Sequence, residues 1–65
     1  MFGRLGRWDD VQIKISEAVG AGGTYTKNEN GTVVAMFGDD ILFRALQKGE
    51  QNVWIIMYNE KYYPR

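Results

Sequence analysis

The last eight residues read YNEKYYPR and gather Tyr58, Lys61, Tyr62, Tyr63 and Arg65 at one chain end. Arg4, Arg7 and Trp8 repeat these residue types near the other end, and Trp54 lies just upstream of the tail. Aromatic rings interleaved with cations can do three kinds of work. They can stack on bases while the cations neutralise phosphates. They can anchor a protein interface, where Tyr, Trp and Arg are enriched. Or they can extend a core, since each buried ring removes about 150–250 Å² from water. Under the first reading Arg4, Arg7 and Lys61 are the candidate ligand or phosphate contacts. Under the second, Trp54, Ile56, Tyr58, Tyr62, Tyr63 and Arg65 form a partner or subunit interface.

Other chemistry is thin. The chain has no histidine and no cysteine. That removes disulfides, thiolate or imidazole metal sites, and Ser–His or Cys–His nucleophiles. Asp9-Asp10 and Asp39-Asp40 supply the oxygen ligands that Mg²⁺ accepts. Adjacent carboxylates do not converge readily on one ion, however, and both pairs precede predicted helices, where an acid caps the first turn and meets the helix dipole. GAGGT, Gly20 to Thr24, lacks the preceding strand and following helix that a phosphate loop requires. Asn30-Gly31-Thr32 has the spacing of a glycosylation acceptor but reads as a hairpin turn. Glu17, Glu29, Glu50 and Glu60 form no acid–base constellation. No catalytic residue, metal or cofactor is expected, and the chain is expected not to be an enzyme.

The length of 65 residues allows one domain, 1–65. A chain this short buries only about 60% of the surface its unfolded form exposes. Small domains therefore lean on disulfides, metals or oligomerisation, and oligomerisation is what this composition leaves. Eight acidic and eight basic residues cancel, which is unlike the basic footprint of a general nucleic-acid binder. No apolar run approaches the ~20 residues of a membrane span, and MFGRLGRW lacks the apolar centre of a signal peptide. A cytoplasmic location is expected.

The positioning elements follow from periodicity. Trp8, Val11, Ile15, Ala18 and Val19 form a stripe of period 3.6, with Ile13 out of place. Asp9 with Gln12 resembles a capping box, Trp8 precedes the cap, and Gly20 suits the stop, predicting a helix over 10–19. The same segment also alternates at Val11, Ile13 and Ile15, the pattern of a strand. Asn30-Gly31 predicts a hairpin with strands at 24–28 and 32–37. Asp39 or Asp40, the stripe Ile41, Leu42, Ala45 and Leu46, and Gly49 predict a second helix over 40–48. Residues 53–58 read as a strand that is apolar on both sides: Val53, Ile55 and Met57 oppose Trp54, Ile56 and Tyr58. Val33, Ala35 and Phe37 likewise oppose Val34 and Met36.

The expected fold is α+β: a three-stranded antiparallel sheet with two helices, in the order α-β-β-α-β. The alternative makes the first segment a strand, with a four-stranded sheet and one helix. Either way one apolar sheet face is left over, assigned to Trp54, Ile56, Tyr58 and Val34. Continuing the strand would add Glu60 and Tyr62 to that face and turn Tyr63 away before Pro64. A contiguous apolar patch marks an interaction surface. The expected function is a non-enzymatic binding protein, a homo-oligomer that occupies a surface of a larger protein as an inhibitor or adaptor does. The alternatives are a nucleotide-sequestering or single-stranded nucleic-acid-binding protein, and a purely structural assembly subunit.

Overall fold

A computed structural model describes residues 2–49 and 52–64. The elements are β1 (Phe2–Gly6), α1 (Trp8–Gly20), β2 (Thr24–Lys27), β3 (Val33–Phe37), β4 (Asp40–Gln47) and β5 (Trp54–Tyr58). The strands form one sheet in the order β1-β5-β4-β3-β2, with every neighbouring pair antiparallel. The helix covers one side of it. Among the described residues no helix is long and apolar enough to cross a membrane.

The expected two-helix, three-stranded arrangement is overturned. The one-helix alternative with the larger sheet comes nearer, but the helix lies at 8–20 and the strand at 40–47. A β-bulge explains the misreading of 40–48. Ala35 pairs with Phe43 while Met36 pairs with Ile41, so Leu42 has no partner on β3. A bulged residue shifts the alternation by one, and Leu42 and Phe43 are both buried. The bulge converts period two into an apparent helical stripe. The Asp39-Asp40 pair caps nothing. Gly38 and Asp39 form the two-residue link between β3 and β4, where Phe37 pairs with Asp40. Gly38 has φ +62°, the positive value that two-residue hairpins require.

The helix over 8–20 forms for reasons close to those expected, with shifted ends. Arg7, not Asp9, is the N-cap. Asp10 in the first turn accepts a 2.9 Å hydrogen bond from the Arg7 backbone N–H. The reciprocal half of a capping box is absent, because an arginine side chain has no acceptor. The Trp8 N–H donates to Asn52 Oδ1 at 2.9 Å. At the other end Gly22, with φ +96°, takes the left-handed position expected of Gly20. The Gly23 N–H reaches Ala18 O at 2.8 Å and the Gly22 N–H reaches Val19 O at 3.0 Å, the paired bonds of a Schellman stop. The β2–β3 turn also differs from a simple Asn-Gly pair. Only Gly31 has positive φ, +83°, and Asn28 Oδ1 accepts from the Asn30 and Thr32 N–H groups.

On the helix side, side chains lie in register across the strands. Tyr25, Ala35, Phe43, Tyr58 and Phe2 form one row; Lys27, Val33, Ala45, Ile56 and Arg4 form the next. Val11 and Ala18 of α1 are buried against this side, with Trp8 and Ile15 packed beside them. Ile13, out of place in the helical stripe, is exposed on the outer side of α1.

Gly23 is wedged between the end of α1 and β3. A Cβ there would lie 2.7 Å from Met36 O and 2.9 Å from Ala18 O, both backbone atoms that cannot yield. Gly23→Ala is expected to lower stability by about 1–3 kcal/mol. Gly20 has open space around it and no positive φ, so Gly20→Ala should raise stability by about 0.5–1 kcal/mol. Urea denaturation of the two variants checks both signs.

Candidate functional site

Period two sends alternate residues of β5 to opposite sides, and the position of α1 decides which side is core. Trp54, Ile56 and Tyr58 are the covered set, only 4%, 2% and 7% exposed. Their assignment to the left-over face is therefore corrected: they lie beneath the helix. Trp54 packs on Trp8 with ring centroids 5.1 Å apart. Tyr58 lies among Phe2, Phe43 and Tyr63, at 5.5, 6.2 and 4.9 Å.

The tail does not continue β5. Asn59 reverses the chain: its N–H donates to Leu42 O at 2.9 Å, and its side-chain amide donates to Ile41 O at 2.7 Å. Its carbonyl accepts from the Tyr62 and Tyr63 N–H groups at 3.0 and 2.9 Å. Both rings return to the helix side, where Tyr63 meets Tyr58 and Phe43 while Tyr62 meets Phe37. The Tyr62 hydroxyl donates a hydrogen bond to Asp40 Oδ2, and Lys61 Nζ lies 3.1 Å from the same oxygen. Tyr62 and Tyr63 thus close the core at its end. Arg65 and Glu50 lie outside the described residues.

The three candidate phosphate contacts do not converge. Lys61 is held at Asp40, and Arg7, the N-cap residue of α1, lies with Leu5, Gly6, Asp10 and Val53. Arg4 lies 5.8 Å from the Phe2 ring centroid. It shares a cleft of about 320 Å³ with Phe2, Tyr58, Tyr63, Pro64 and Lys14. Lys14 did not stand out in the sequence, where it reads as an ordinary surface position of an amphipathic helix. Its Nζ lies 5.9 and 5.8 Å from the Tyr58 and Tyr63 rings and 3.6 Å from Glu17. Among the described residues no cluster of three or more carboxylates could hold a metal ion.

The side of the sheet away from α1 has no element over it among the described residues. Leu5, Ile55 and Leu46 form one row across it. Gly3, Met57, Arg44, Val34 and Thr26 form the central row. Ile41, Met36 and Thr24 form the third. Leu5 is 75% exposed and Leu46 40%. Gly3 leaves space for Met57 to lie across the edge strand, since a Cβ there would sit 2.8 Å from the Met57 sulfur. The left-over apolar face is thus the odd side of β5 with the even side of β3, which includes Val34.

Asp40 is acidified chiefly by the Tyr62 hydrogen bond and then by Lys61. The Asp40 hydrogen bond in turn raises the Tyr62 phenol and the Lys61 ammonium. A depressed acid stabilises the fold above its ordinary pKa of 3.8 and loses that contribution as pH falls through the lower folded value. A raised phenol contributes below its ordinary 10.0 and loses it as pH climbs through the higher folded value. Tyr62 ring resonances should hold steady between those limits and shift beyond each; in Tyr62→Phe the Asp40 carboxyl resonance should titrate at higher pH, nearer its ordinary value. Tyr63→Ala should lower folding stability by about 1–3 kcal/mol in urea denaturation, as loss of a packed aromatic does.

No family model matches the chain, and neither a curated protein nor a solved structure is significantly similar to it.

Proposed function

We propose that this chain is a small non-enzymatic cytoplasmic binding protein, which docks the open face of its sheet onto a larger protein as an inhibitor or adaptor does. The observation that carries this reading is the apolar side chains opposite the helix: Leu5 and Leu46 are exposed, and Val34, Met36, Ile55 and Met57 are half-buried around the central Arg44. The chain measures 31 × 26 × 17 Å along its principal axes, so its broadest projection is about 31 by 26 Å. That footprint is comparable with the ~800 Å² per partner of a standard protein interface. Met36 and Met57 add unbranched side chains that adapt to a partner's relief. A second copy of the chain is the competing occupant of the same surface.

Substitution on the open face tests the reading. Ile55→Asp should retain the fold, with a stability cost of about 1 kcal/mol. It should reduce the fluorescence of a bound apolar dye and abolish any specific partner that the wild type retains in affinity isolation. Gln12→Asp, on the exposed side of α1, should change neither. Equal partner retention by all three proteins would count against the open face as the contact surface.

The cleft between β1, α1 and the tail favours a second reading, a nucleotide binder. Arg4 and Lys14 would meet phosphate oxygens, with Phe2, Tyr58 and Tyr63 supplying the aromatic wall. The volume is at the small end of ligand pockets. Both tryptophans lie near the start of β5, away from Tyr58, so tyrosine ring resonances are the appropriate reporter. Titration with adenosine monophosphate should shift Tyr58 and Tyr63, and Arg4→Ala or Lys14→Ala should weaken binding roughly tenfold or more. Unchanged spectra remove this reading.

A further inference from the structure

We infer that the protein docking on the open face carries a carboxylate that meets Arg44, set within an otherwise apolar patch; this rests on the docking reading above. Arg44 lies on β4, the middle strand of the five. Across the sheet it is flanked by Met57 and Val34. Along β4, on the same side, its neighbours are Ile41 and Leu46. It is exposed, and no carboxylate lies within ion-pair distance of it among the described residues. The strand positions that line this face contain no Asp or Glu. A partner that covers the face therefore takes one cation out of water at the centre of an apolar contact.

An unpaired charge in that position opposes association, whereas a guanidinium with a matched carboxylate is directional and selects its partner. The chain cannot supply that carboxylate to itself in a centred face-to-face dimer. Such a dimer is isologous, placing the same patch on both sides of a two-fold axis. A residue near the middle of the patch then meets its own symmetry mate, and Arg44 would face Arg44. The Arg44 cation thus selects against self-closure and in favour of an apolar surface with an acidic centre.

The probe is a charge-reversed copy of this chain. Arg44→Glu presents the inferred chemistry, a carboxylate amid the same apolar rows. Multi-angle light scattering should find wild type and Arg44→Glu each monomeric. An equimolar mixture should form a 1:1 heterodimer, at least tenfold tighter than either self-association, with Val34 and Met57 resonances shifted. Arg44→Leu, which removes the cation, should self-associate. Arg44→Lys should stay monomeric, and far-UV circular dichroism confirms that each variant folds. A wild-type dimer with Val34 and Met57 at its contact overturns the inference and makes a second copy the occupant. Self-association of Arg44→Leu without a mixed heterodimer overturns the carboxylate requirement while leaving the docking reading intact. A monomeric Arg44→Leu together with a monomeric mixture shows that the face is not adhesive, and both readings fall.

Discussion

One short helix is asked to cover a sheet of five strands, and it can lie on only one side. Val11 and Ala18 seal that helix against the sheet, and the consequences run through the rest of the molecule. The side chains beneath it, from Val33 and Ala35 to Trp54 and Ile56, become the core. Those on the reverse side keep the same apolar character with no cover among the described residues. The helix also leaves one end of its own side open, and the reversed tail fills it with Tyr62 and Tyr63. Burial of large apolar side chains contributes roughly 1.5–3 kcal/mol each, so a small domain has strong reason to use every ring it has on the covered side.

The two ends of the helix side are closed by different chemistry. At the start of α1, Trp8 and Trp54 stack, and Lys27 Nζ lies 5.1 Å from the Trp8 ring. At the far end the closure combines ring packing with a polar latch, since Asp40 accepts from both Tyr62 and Lys61. Asp40 is available for that role because it starts β4 at a two-residue turn. The same aspartate placed at the start of a helix would have bonded to backbone N–H groups. Its partners here are supplied by a tail more than twenty positions away, and only a folded chain brings them together.

Much of the architecture was legible in the sequence. The α1 stripe, the β2–β3 hairpin and β5 are read correctly in type from period and turn chemistry. The surplus of apolar faces is read correctly in kind. Three readings failed for specific physical reasons. Residues 40–48 read as a helix because the Leu42 bulge imitates helical spacing. β1 was missed because Gly3 and Gly6 carry no side chain to report a period. A Cβ at Gly3 would meet the Met57 side chain, a contact visible only with β5 alongside. The tail was extended as a strand because nothing local announces that Asn59 bonds back to Ile41 and Leu42.

The sequence by itself determined that alternate residues of β5 and β3 form two apolar faces, and that histidine and cysteine chemistry is absent. Which of the two faces is interior could not follow from it. Strand periodicity distinguishes the sides of a strand but does not name them, because both sides of WIIMY are apolar. The tertiary structure made that choice by laying α1 on the even side of β5. The same placement brought Arg44, an unremarkable charge within a supposed helix, to the middle of the uncovered face.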